Sequence, residues 1–143
     1  MAQEGVLRRK LRDSWCSGLH GELVWVEAAH GGTVGAPDVF VPVGMKRGYL
    51  PLELKWWKAY DDLIEFSVRP SQLRFHRLAY EAGQRTAFLA LLSDERIVLM
   101  AGSKLGARDI HGLINISMMR VLPRIEDLRD ALCDEKLWRG KVK

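Results

Sequence analysis

The chain has 143 residues, 48% of them hydrophobic and 28% charged, with a net charge of +4, which excludes a disordered chain and gives enough length for one domain over 1–143 with a single sizeable core. Its longest apolar run, AFLALL over 87–92, is too short to cross a bilayer, and MAQEGVLRRK lacks the apolar stretch of a secretion signal, so a cytoplasmic protein without membrane association is expected. Lys and Arg outnumber Asp and Glu by 22 to 18, a balance that leans towards an anionic partner. Cys16 and Cys133 have neither the spacing of a zinc site nor that of a disulfide framework and read as reduced packing residues.

In chain order, Leu7, Leu11 and Trp15 recur every four residues among Arg8, Arg9, Lys10 and Arg12, which predicts an amphipathic helix over 4–17 stopped by Gly18. LVWVEA over 23–28 has strand character, and AHGGTVGAP carries the chain through a glycine-rich loop to Asp38. DVFVPV and YLPLELKW flank GMKRG as the two strands of a hairpin. Pro42 and Pro51 lack an N–H, so each belongs where its strand has a free side or a bulge.

Residues 59–69 are mixed and charged and read as a connecting segment. PSQLRFHRLAYEAG, with Pro70 and Ser71 at its start and Gly83 at its end, predicts a helix of about three turns. TAFLALL and RIVLMAG, split by Ser93, Asp94 and Glu95, predict a further strand pair. SKLGARDIHGLINISMMRVL has no assignable pattern, and RIEDLRDALCDEKLW predicts a closing helix with Ile125, Leu128 and Leu132 on one face. Repeats and low-complexity segments are absent from the sequence.

The chemistry lies in the first hairpin. A turn centred on Met45 and Lys46 sets Asp38 opposite Glu53, and a slip of one residue leaves them adjacent. Alternation along the strand sends Glu53 and Lys55 to one face and Leu52 and Leu54 to the other, into the core. Two carboxylates at such a distance repel unless a cation lies between them. Hard oxygen ligands without a His or Cys set favour Mg or Mn over zinc. A cation that keeps water and holds a phosphate oxygen, beside a lysine that orients or deprotonates the water or stabilises developing charge, is equipment for phosphodiester hydrolysis.

These residues, PD at 37–38 and ELK at 53–55, resemble the signature of the PD-(D/E)XK nucleases. The order GxPD, strand, glycine turn, strand, ELK and Gln-bearing helix is most similar to the small phage and bacterial VRR-NUC type; it also resembles archaeal-type Holliday-junction resolvases, which share this core, and the resemblance spans roughly residues 4–100. The resemblance implies an α/β fold of restriction-endonuclease type, a mixed central sheet with a β-meander flanked by helices. It makes Asp38 and Glu53 metal ligands assisted by the Leu54 backbone carbonyl, and Lys55 the catalytic lysine. Gln72 becomes a site residue that holds water or phosphate, with His76 one turn on. The family's first-helix Glu falls on Glu4, with Glu27 as its competitor.

The resemblance further implies a Mg-dependent DNA endonuclease leaving a 5′-phosphate and a 3′-hydroxyl. One small domain has no separate sequence-reading module, so selectivity for junctions, flaps or branches is expected. Junction cleavage takes two cuts and calls for a homodimer, with LINISMM and the tryptophans as its apolar surface. Lys46, Arg47, Lys58, Arg69, Arg74 and Arg77, with His30 in the glycine loop, are candidates for a phosphate-tracking groove. An RNA nuclease of the same fold and a non-catalytic nucleic-acid-binding protein are the alternatives.

Overall fold

The computed structural model describes residues 2–15, 23–26, 37–43, 48–106 and 108–139, with side chains from residue 5 onward. Helix α1 (Ala2–Trp15) buries Leu7, Leu11 and Trp15, while Arg9, Lys10 and Arg12 stand in solvent, the stripe that a four-residue apolar spacing imposes. Of the strand expected over 23–28, Val24–Trp25 (β1) is formed among the described residues. Then come β2 (Val39–Pro42), β3 (Tyr49–Tyr60), β4 (Leu63–Ser67), α2 (Pro70–Glu81), β5 (Ala87–Leu92) and β6 (Ile97–Ala101). Strands β7 (His111–Asn115) and β8 (Arg120–Leu122) and helices α3 (Leu128–Cys133) and α4 (Glu135–Trp138) complete the domain.

The strands form one mixed sheet in the order β1-β2-β3-β5-β6-β8, with β4 and β7 branching from the far end of β3. Only β3 and β5 run parallel among the described pairs, and α2 lies in the long crossover that a parallel pair requires. The hairpin register is the expected one, from Val39 opposite Leu52 to Pro42 opposite Tyr49. Pro51 sits one position before pairing with β5 begins at Leu52, so its missing N–H costs that ladder nothing.

Residues 59–69 are not a plain connector. β3 runs on to Tyr60, turns at Asp61 with φ 54, and returns as β4, with Trp57 Nε1 donating to the Ser67 carbonyl at 3.0 Å. Ile64, Phe66 and Val68 are buried while Leu63 and Ser67 are exposed, a period of two that the neighbouring acidic residues obscure. Strands β7 and β8 occupy the segment without an assignable pattern. The closing helix is also broken, into a 3-10 turn (Ile125–Asp127), α3 and α4. Asp134 adopts extended backbone there and caps α4 by accepting from Lys136 N–H at 3.0 Å, the role that favours Asp at helix starts over helix interiors.

The sheet carries a core on each face. Leu52 and Leu54 pack with Leu7, Leu11, Leu89, Leu99, Leu128 and Leu132 on the side of α1 and α3. Trp57, Phe88, Ala90, Val98 and Met100 pack with Leu73 on the side of α2. Trp56 supports the first core and Trp57 belongs to the second, as alternation requires. Cys133 is a free, exposed thiol that donates to the Val43 carbonyl at 3.6 Å rather than a core residue, and Cys16 lies outside the described residues. No helix among the described residues is long and apolar enough to cross a membrane.

Candidate active site

Asp38 takes its place because β2 stops pairing with β3 at Val39 and Leu52. Beyond that point the Leu54 N–H lacks a strand partner on the β2 side, and Asp38 Oδ2 accepts from it at 2.8 Å. The carboxylate thereby substitutes for a backbone carbonyl and closes the ladder. Arg8 of α1 stands 3.6 Å from Asp38 Oδ1, with both side chains partly exposed, so the pair adds little stability but sets a cation beside Asp38. Sequence reasoning assigned Arg8 only to the basic face of α1.

Glu53 and Lys55 point to the α2 side, as alternation predicts, and are 2% and 8% exposed. Burying charged groups to this extent is costly unless they are paired, and α2 supplies the pairing. Gln72, itself 8% exposed, accepts from Lys55 Nζ at 2.6 Å through Oε1 and donates from Nε2 to Glu53 Oε2 at 2.9 Å. The partners dictate the orientation of the amide, since Lys offers only donors and a carboxylate only acceptors. Gln72 Oε1 also accepts from the Arg69 N–H at 3.2 Å, satisfying a free donor at the start of α2. One side chain thus ties the helix start, Lys55 and Glu53 into a single network.

One turn further along α2, His76 is fully buried. Its Nδ1 shares a 2.6 Å hydrogen bond with Thr86 Oγ1, and its ring lies 4.1 Å from the Phe88 ring. Burial, with the Lys55 charge adding to it, pushes the imidazole down to about 4, so it is neutral at physiological pH.

The remaining candidates are scattered. Arg69 and Arg74 are exposed on α2 and flank Gln72 in sequence. Arg77 donates to the Leu105 carbonyl at 3.4 Å and lies over Tyr80. Lys58 is exposed further along β3, with Nζ 5.5 Å from the Tyr60 ring centre, outside the hydrogen-bonded network around Gln72. Glu27, His30, Lys46 and Arg47, and the Glu4 side chain, lie outside the described residues. A further grouping that the sequence reading missed is Trp25, with Arg8 and Arg12 at 4.8 and 5.8 Å from its ring. The basic run on α1 was the only signal for it.

The oxygens of Asp38, Glu53 and the Leu54 carbonyl are hard donors, a type that suits Mg or Mn better than softer metals. Among the described residues no three His, Cys, Asp or Glu side chains cluster as a metal cage.

Neither a family model nor a curated protein matches the sequence. Among solved structures, the fold is similar to that of Hjc, a Holliday junction resolvase from the archaeal hyperthermophile Archaeoglobus fulgidus, with 20% sequence identity and a TM-score of 0.52 over 86% of this chain and 96% of that one. With its mixed sheet, β-meander and flanking helices, the chain has a restriction-endonuclease-like α/β fold.

Proposed function

We propose that the protein is a metal-dependent endonuclease that hydrolyses DNA phosphodiester bonds and prefers branched DNA, in the manner of a small phage-type resolvase. The observation that carries this reading is the buried network in which Gln72 joins Lys55 to Glu53, with Asp38 fixed beside them on the Leu54 N–H. Such a network is a poor device for stability, because apolar residues fill the same space without desolvating charge. It is a good device for holding reactive groups in one geometry.

Asp38, Glu53 and the Leu54 carbonyl would hold Mg or Mn, with Glu4 or Glu27 as a third carboxylate. When bound, such a cation screens phosphate charge and makes a coordinated water more acidic. Lys55, restrained by Gln72, directs its other N–H donors at a non-bridging phosphate oxygen, where negative charge grows during attack. The water oxygen forms the new bond to phosphorus, the bond to the 3′ oxygen breaks, and the proton lost by water balances the one gained by the leaving oxygen. Products are a 5′-phosphate and a 3′-hydroxyl.

Arg8, Arg12 and Trp25, grouped beside Asp38, with Arg69 and Arg74 on α2, supply phosphate contacts and a surface for a base to stack on. Two symmetric cuts at a junction call for a homodimer, for which exposed Leu113 on β7 is a candidate contact.

The test incubates the protein with labelled four-way junction, flap, duplex, single strand and RNA in Mg, Mn or EDTA, beside Lys55→Ala and Asp38→Asn. Metal-dependent cutting, strongest on the junction and lost in both variants, is expected. Binding without cutting under every metal condition would replace the enzyme by a binding module. Preferential cutting of RNA would reassign the substrate.

A further inference from the structure

His76 is a buried polar group that the proposed chemistry does not use. Helix spacing sets Gln72 and His76 on one face of α2, one turn apart. Gln72 reaches Glu53 on β3, while His76 stacks on Phe88, the β5 residue directly paired with Glu53. The His76 Nδ1 bond to Thr86 anchors α2 to the start of β5. Gly102 closes over this bond. A Cβ there would overlap Thr86 Oγ1 and stand 2.5 Å from His76 Nδ1, while the Gly102 N–H donates to the Thr86 carbonyl at 2.8 Å.

The arrangement has a cost. His76 Nε2 has no hydrogen-bond partner among the described residues, and burying an imidazole this way is less favourable than burying leucine. Apolar packing alone lets a helix slide or roll by fractions of an ångström, whereas a short hydrogen bond has a direction and fixes rotation and height together. A small roll of α2 would draw the Gln72 amide away from either Lys55 or Glu53.

We propose that the His76–Thr86 hydrogen bond, enclosed by Gly102, is a positioning device that sets α2 so that Gln72 engages Lys55 and Glu53 at once. This inference rests on the nuclease reading for its kinetic consequence and on geometry alone for its structural one. His76 acts through Gln72 and touches no substrate.

The experiment compares Thr86→Val, His76→Phe and Gly102→Ala, each in wild-type and Gln72→Ala backgrounds, measuring kcat and KM on the best DNA substrate together with thermal stability. Thr86→Val preserves shape and removes only the hydroxyl, so it keeps the test sound if His76→Phe fails to fold. Each folded variant is expected to lower kcat about tenfold or more with KM little changed, and to lower it no further once Gln72 is absent. Unchanged kcat in Thr86→Val, or equal losses in both backgrounds, would overturn the proposal. The Gln72 side-chain amide, followed by NMR, gives a readout without cleavage. Faster proton exchange at Nε2 in Thr86→Val supports the device and an unchanged amide refutes it, even if the wild-type protein cuts nothing and the nuclease reading falls.

Discussion

The buried imidazole makes folding depend on pH in a way that can be worked out from one residue. His76 is fully buried, and desolvation first, then the charge of Lys55, lower its pKa from 6.5 to about 4. The folded value lies below the unfolded one, so the unfolded chain binds the extra proton. The contribution of His76 is therefore intact above about pH 6.5 and declines as pH falls towards about 4. At pH 5 the unfolded histidine is almost wholly charged and the native one almost wholly neutral, and linkage gives a loss of about 2 kcal/mol relative to pH 7.5. Urea unfolding of the wild type and His76→Gln at several pH values between these limits measures it, with constant m-values confirming that the same transition is compared. Carboxylates titrate in both proteins and cancel in the difference. The stability gap between wild type and variant should narrow by about 2 kcal/mol on going to pH 5; parallel curves would refute the reasoning.

Gln72→Ala should lower kcat about a hundredfold while leaving DNA affinity by fluorescence anisotropy nearly unchanged, since it releases Lys55 without removing a surface cation. Arg8→Ala should weaken DNA binding and reduce the slope of log affinity against log salt by about 1, as expected for one lost phosphate contact; an unaltered slope would remove Arg8 from the interface. Glu95, held at φ 72 in the turn between β5 and β6, should gain up to about 1 kcal/mol in chemical denaturation when changed to Gly, because the left-handed backbone strains an L side chain.

The first hairpin was legible because its information is local. A glycine-flanked turn between two strand-like runs determines which residues stand opposite each other, and alternation determines that Glu53 and Lys55 share a face. The same locality made α1 and α2 readable from apolar spacing and from Pro70 and Gly83. The β4 strand carried its signal in Ile64 and Phe66, continued by Val68 just past its end, hidden by the acidic residues at its turn.

Other features had no local trace. The parallel pairing of β3 with β5 sets Glu53 beside Phe88, and nothing in either strand names its partner. Arg8 reaches Asp38, and His76, Thr86 and Gly102 meet, only once the sheet has assembled. The sequence by itself determined that Asp38 leads into one of two paired strands and that Glu53 and Lys55 lie on the other and share a face, since turn geometry and side-chain alternation act over a few residues. Tertiary structure alone decided how Gln72 bridges Lys55 and Glu53 and what holds α2 in place, because those contacts depend on packing between segments whose local patterns are satisfied in many other arrangements.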